Sequence, residues 1–367
     1  MKRITVVFLL LVLCCGLFAC STPLPETAET ENTAAAVSSD DEWVRRFDAE
    51  REHKFIACDI TNHSIVVFDL NACNGDFQKL KEDAVSVVWE WDPEEDPACK
   101  TGGPNYGIDS AKYRYSAFYE RDVIIACSSN GWVGIIDYNA CRLLWEYKMK
   151  SGPHSVELLP NGDLVVAVSN NPGALTYFPL STGAKVPVHS IPSLYCHGVS
   201  WDPEREVLWV LEHDGVYAAV IENMGTMNGK IARLASGAVF DYEETGGHAF
   251  SPVYGKPGKY WASSARHLWQ FDAETETLTR QFEYTKELTA PRNIKGIASF
   301  SDGTVVEAFC DIGKRATRGW SCDGLRIVTL EESTGRVKQL RAVTTDVLFD
   351  PADREFYKVQ PFTKNYQ

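Results

Sequence analysis

The chain has 367 residues, 44% of them hydrophobic, and carries 36 Lys and Arg against 50 Asp and Glu, a formal net charge of −14. That content suits a globular fold with a sizeable core. So acidic a chain, with no Lys/Arg-rich block, is ill suited to nucleic acid, and no such partner is expected.

Lys2 and Arg3 open the chain, an apolar run follows from Ile4 to Phe18, and Ala19 stands before Cys20. This is the layout of an export signal over residues 1–19. The run is shorter than the roughly 20 residues that cross a bilayer as a helix, so no transmembrane helix is expected after processing. The segment Leu17-Phe18-Ala19-Cys20 resembles the lipobox of bacterial lipoproteins, with Phe18 in place of the usual small residue. The resemblance implies cleavage before Cys20, acylation of that cysteine and a membrane anchor at the bacterial cell envelope. Ser21 does not mark retention in the inner membrane, which points to the outer membrane and leaves its periplasmic or surface side open. Acyl chains hold by burying methylenes, about 0.8 kcal/mol each. Residues 20–41 are rich in Ser, Thr, Ala, Glu and Pro and read as a tether that cannot offset its chain entropy by burial. A short lead-in, 42–53, precedes the domain at 54–367.

Within that domain the chain repeats itself. Phe55-Ile-Ala-Cys58 through Cys73 returns as Ile124-Ile-Ala-Cys127 through Cys141, each reading strand, polar turn, strand. A second unit, an apolar strand, a tight turn and another β-rich strand, is clearest from His154 through Asn161-Gly162. It recurs from Tyr113, His197, His248, Lys295 and Asp346, with starts 41 to 51 residues apart. Asn-Gly tolerates positive φ at both turn positions and suits a two-residue hairpin. Repeats of about 40 to 50 residues made of four short strands mean propeller blades. The expected fold is therefore all-β, a single β-propeller of six four-stranded blades, with seven as the alternative. The strand beginning at Asp346 is expected to join the strand at Phe55 and close the ring, leaving the strand at 355–359 over.

The first residues of the inner strands should converge at one mouth of the central channel. In this register they are Tyr113, His154, His197, His248, Lys295 and Asp346, and three of the chain's eight histidines share the position. Three convergent imidazoles suit a divalent transition metal such as Mn or Zn, with Glu157 or Asp346 orienting a ring from behind. Without a metal, a histidine is the natural proton carrier, with Tyr113 beside it, while Lys295 and Arg292 would hold an anionic group such as a uronate carboxylate. Trp320, in Arg318-Gly-Trp-Ser-Cys322, is the best exposed platform for a sugar ring; most other tryptophans read as packing between blades.

The axial histidines resemble those of propeller oligogalacturonate lyases, which implies a histidine-held metal and β-elimination. His154-Ser-Val-Glu-Leu-Leu-Pro-Asn-Gly also resembles a strand of quinone-type propellers and arylsulfate sulfotransferases. Over residues 54–360 the chain resembles uncharacterised β-propeller lipoproteins of gut-type Bacteroidetes, a likeness that implies the fold and no activity. No P-loop, dinucleotide fingerprint, nucleophile elbow or HExxH zinc motif occurs. The expected function is binding or cleavage of an extracytoplasmic glycan at a histidine-lined axial site; the rival is a non-enzymatic protein-interaction propeller.

The chain has eleven cysteines, of which Cys14, Cys15 and Cys20 fall in the signal and its cleavage site. The remaining eight show no CxxC spacing. Cys310 and Cys322 flank a polar loop that a disulfide would close, and buried free thiols are the alternative.

Overall fold

A computed structural model describes residues 53–99, 103–104, 107–170, 172–281, 294–310, 317–331 and 341–364. All of them fall in one compact unit, Arg46–Gln367. The expected signal, Cys20, the tether, the lead-in up to residue 52 and Arg292 lie outside the described residues. Among the described residues no helix is long and apolar enough to cross a membrane.

The strands form six four-stranded antiparallel sheets. Their inner strands are Ser110–Ser116, Pro153–Leu158, Gly198–Asp202, Phe250–Pro252, Ile294–Ser299 and Phe356–Pro361. Each touches the next and the last returns to the first, so the sheets close into a six-bladed β-propeller. Burial falls along each blade. Leu164–Val168, second in blade three, is wholly buried, whereas Thr277–Gln281, outermost in blade five, is mostly exposed. Strands near the axis are covered by neighbouring blades on both faces and read as apolar runs; outer strands keep a wet face and carry polar residues. Aromatic rings fill the spaces between blades: Trp91 stacks on Trp132 at 5.7 Å, Trp145 meets Phe178 at 5.8 Å, and Trp209 meets Phe271 at 4.7 Å.

Ring closure differs from the expectation in one strand. Blade one pairs Lys54–Asp59 with Phe356–Pro361, placing Ile56 opposite Gln360 and Phe55 opposite Pro361. The strand containing Asp346, Arg341–Leu348, is instead the outermost of blade six. Asp346 is exposed and forms a two-pronged ion pair with Arg326, at 2.6 and 2.9 Å. Both strands alternate apolar residues and both flank the Asp350 turn, so periodicity alone did not separate them. The strand left over in a repeat count is the one that closes the ring.

The turn after blade three's inner strand also differs in kind. Only Gly162 of the Asn161-Gly162 pair takes positive φ, 91°. Its N–H donates to Leu159 O at 2.9 Å, and Leu159 N–H donates to Asp163 O at 2.8 Å. This is a type I turn ending in a left-handed residue, the three-residue hairpin loop. Blade six repeats it with Gly303 at 85°, while blades two and four put Glu120 and Glu206 in the left-handed position at 54° and 53°.

Candidate functional site

At one end of the axis each blade contributes one residue or a pair: Asp109, His154, His197, His248, Lys295, and Tyr357 with Lys358. Bulges aim three of these contributions. Blade three pairs Pro153 with Val168 and Ser155 with Ala167, which leaves His154 as the extra residue. Lys295 is likewise skipped between Ile294 and Gly296. In blade one the register jumps between Ala57 and Asp59, opposite Val359 and Phe356, so two residues, Tyr357 and Lys358, face one. A bulge unpairs a residue and turns its side chain out of the ladder.

The three imidazoles sit side by side, with ring centroids 4.8 Å apart for His154 and His197 and 4.4 Å for His197 and His248. Each Nδ1 meets the carbonyl of the residue two before it, Gly152 at 3.0 Å, Tyr195 at 2.8 Å and Gly246 at 2.7 Å. A carbonyl only accepts, so each Nδ1 carries the proton and each Nε2 offers its lone pair. The Nε2 of His197 meets Ser169 Oγ at 3.1 Å, and that of His154 lies 3.9 Å from an Asp109 carboxyl oxygen. Their Nε2 atoms are thus drawn toward different neighbours. Among the described residues no group of three His, Cys, Asp or Glu side chains is arranged to hold a metal ion.

Burial sets the charge of the ring. Desolvation, reinforced by nearby lysines and, for His197 and His248, by the other imidazoles, lowers His154 to about 4, His248 to about 3 and His197 well below its ordinary value. All three are neutral at pH 7. Desolvation also lowers Lys358 to about 8 and lowers Lys295. Lys358 Nζ donates to the backbone carbonyls of His154, at 2.7 Å, and His197. Lys295 Nζ lies 5.7 Å above the Tyr357 ring. Burial raises Asp109 to about 7, although Ser129 N–H bonds it. At neutral pH the ring therefore presents two ammonium groups, three hydrogen-bond acceptors and a carboxyl close to its titration point.

A family of unknown function, DUF6528, matches residues 33–325. The chain belongs to DUF6528. No curated protein matches this DUF6528 chain. Among solved structures it is similar to a protein of unknown function from Bacteroides caccae, at 11% identity over 85% of this chain and 99% of that one, with a TM-score of 0.51. It is also similar to Kuenenia stuttgartiensis hydrazine synthase, at 12% identity over 78% of this chain and 81% of that one, TM-score 0.50. At such identities the likeness shows the fold alone.

The other expected residues of the DUF6528 propeller lie elsewhere. Tyr113 is fully buried between blades, stacked on Phe362 at 4.3 Å and edge-on to Tyr138 at 5.1 Å. It does not reach the mouth because blade two's inner strand runs seven residues without a bulge, against six with one in blade three. Counting back from the turn therefore stops short of Asp109, which occupies the mouth. Glu157 does not orient an imidazole. It closes the axis one level deeper, bonded by Arg114 at 2.8 and 3.0 Å and by Lys112 at 3.0 Å. Burial raises its pKa, but these two cations outweigh burial and hold it below the ordinary carboxylate value. Trp320 is 38% exposed and meets Tyr357 edge-on at 5.7 Å, with the Arg318 guanidinium 5.4 Å from its own ring. Tyr357 in turn lies 6.3 Å from His154, so Trp320 stands at the rim of the ring. Lys358, Tyr357 and Asp109 were missed by sequence reading; the signal for the first two was the Tyr-Lys pair in the unassigned last strand. A second concavity, between blades one and two, is lined by Glu90, Trp91, Asp92, Glu95, Asp96 and Arg142 among others. Its buried Asp96 is committed to Trp91 Nε1 and Leu143 N–H, and its Glu90 to Ser64 and Arg354.

Proposed function

We propose that this propeller binds an anionic ligand over the axial ring, the class being an acidic glycan that offers a uronate carboxylate. One observation carries the reading. Lys295 and Lys358 are 6% and 1% exposed, and among the described residues no carboxylate forms a salt bridge with either. Lys112 and Arg114, buried one level below, do share such a partner in Glu157. A buried charge is costly unless paired; Asp109, which acts on Lys358, is itself only partly ionised at neutral pH, and an anionic ligand adds the counter-charge the two ammonium groups lack. The remaining chemistry suits a sugar acid: neutral Nε2 atoms accept from hydroxyls, and Trp320 offers a ring face at the rim. Cleavage by β-elimination would draw on the same groups, with an imidazole accepting the proton and Lys295 holding the carboxylate. Tyr357 then stands where Tyr113 was expected.

The reading includes location. Acylation at Cys20 would hold the propeller on the outer membrane of a bacterial envelope, where such glycans are met. Mass spectrometry of the N-terminal peptide tests this, and Cys20→Ala should release the protein from the membrane fraction.

Calorimetric titration of residues 41–367 with oligouronates and with neutral oligosaccharides of equal length tests the site. Binding of the acidic series alone, weakened at least about tenfold in a still-folded Lys295→Gln variant, is expected from loss of a charge-assisted contact. Equal binding of both series, or none, would sink the reading in favour of a protein-interaction surface. The three neighbouring imidazoles leave one other occupant to test, a divalent Mn or Zn ion, for which rings now only 4.4 and 4.8 Å apart between centroids would have to turn their Nε2 atoms to one point. Two ammonium groups oppose it, but stoichiometric metal lost on changing His154, His197 and His248 to Ala would put it in place of the anion. An unsaturated uronate product, absorbing in the ultraviolet, would mark elimination.

A further inference from the structure

We propose that Cys310 and Cys322 form a disulfide that fastens the segment carrying Trp320 beside the axial ring. Cys310 directly follows the strand Thr304–Phe309, and Cys322 stands just before Gly324–Glu331. These strands pair Ala308 with Leu325, a register that, continued, sets Cys310 opposite Asp323, the chain neighbour of Cys322, and both cysteines pack in one apolar cluster. The Cys310 thiol lies close enough to that of Cys322 to raise its pKa, adding to the effect of burial. Cys322 is wholly buried and further fixed by the bridge between its backbone and that of Phe356. Cys310 is partly exposed, and its Sγ lies 3.1 Å from the carbonyl of Trp320. Cys58 and Cys127 also lie near each other, but both are wholly buried, out of reach of an oxidant.

The chemistry follows from that asymmetry. Lys295 is close enough to feel the charge of both sulfurs, and Cys310 is the one an oxidant can reach. Cys310 Sγ attacks a low-molecular-weight disulfide such as oxidised glutathione, forming a mixed disulfide and releasing one glutathione. Cys322 Sγ then attacks Cys310 Sγ and displaces the second. One S–S bond breaks in the donor and one forms in the protein. Two electrons and the two thiol protons leave with the two glutathione thiols. The product ties the segment just before Cys322, including Arg318 and Trp320, to the end of the blade-six hairpin.

The test uses the full mature chain in glutathione redox buffers, read by alkylation and peptide mapping without reduction. The expected result is a linked peptide pair containing Cys310 and Cys322, with two fewer alkylatable thiols than in reduced protein. Reduction should lower the melting temperature by on the order of 5 °C in wild type and leave a Cys310→Ser variant unmoved. Coincident melting of that variant and the reduced wild type would show that the serine has not damaged the fold. Full alkylation of both cysteines after oxidation, or linkage of either to another cysteine, would overturn the proposal. No ligand enters the measurement, so it stands or falls apart from glycan binding.

Discussion

Lys358 reaches the centre of the ring, where burial has brought its ammonium to about 8. An anion that pairs with it needs the protonated form. Affinity should therefore fall as pH rises through about 7, where Asp109 gains its negative charge, and again through about 8, where Lys358 loses its proton. Calorimetry across both values checks it, and Lys358→Met should both weaken binding and flatten the upper step. The histidines act in the opposite range. Their folded-state values are depressed, to about 4 for His154 and about 3 for His248. Below their ordinary value of 6.5 the unfolded chain takes up protons that the folded ring refuses. The stability they contribute is present above 6.5 and is lost as pH falls toward about 4, on the order of a few kcal/mol for the cluster. Denaturant midpoints measured across that window should drop steeply in wild type. In a variant with His154 and His248 changed to Gln the drop should be shallower.

At the level of strands and turns, placement of the site depends on where each ladder gains or loses a residue. His154, His197, His248 and Lys295 were legible in the sequence because blades three, four, five and six share one spacing from mouth to turn. Tyr113 misled because blade two has a longer, unbulged hairpin, and a bulge leaves no mark in hydrophobic alternation. Asp346 misled because a turn with Asp, Pro and Asp joins two blades as readily as two strands of one blade. The ion pair of Glu157 with Lys112 and Arg114 was not legible at all, since it links inner strands of different blades, and nothing in local pattern encodes that neighbour. The turns yield their own test. A Cβ on Gly162 would collide with Phe118 while holding a left-handed backbone, so Gly162→Ala should cost about 1–2 kcal/mol or more in denaturant unfolding.

For the whole molecule, blade one is the joint between the two ends of the described chain. Phe356 is fully buried there, 6.0 Å from Phe68 and 4.9 Å from Phe349. Phe356→Ala should cost about 3–5 kcal/mol, read as a lowered midpoint in chemical unfolding. Because Lys358 and Tyr357 lie on the same strand, the variant should also weaken ligand binding more than a core change of equal cost elsewhere. The same joint has a kinetic consequence. Five blades assemble from neighbouring stretches of chain, and their contacts are local and quick to form. The sixth sheet must wait for Phe356–Pro361 to find Lys54–Asp59. Refolding should then show a fast phase that builds an open arc, followed by a slower one that seals it. During the wait both open edges are sticky, and at high protein concentration the final strand of one molecule can complete the arc of another, so exchanged dimers would appear in proportion to how slowly the seal forms.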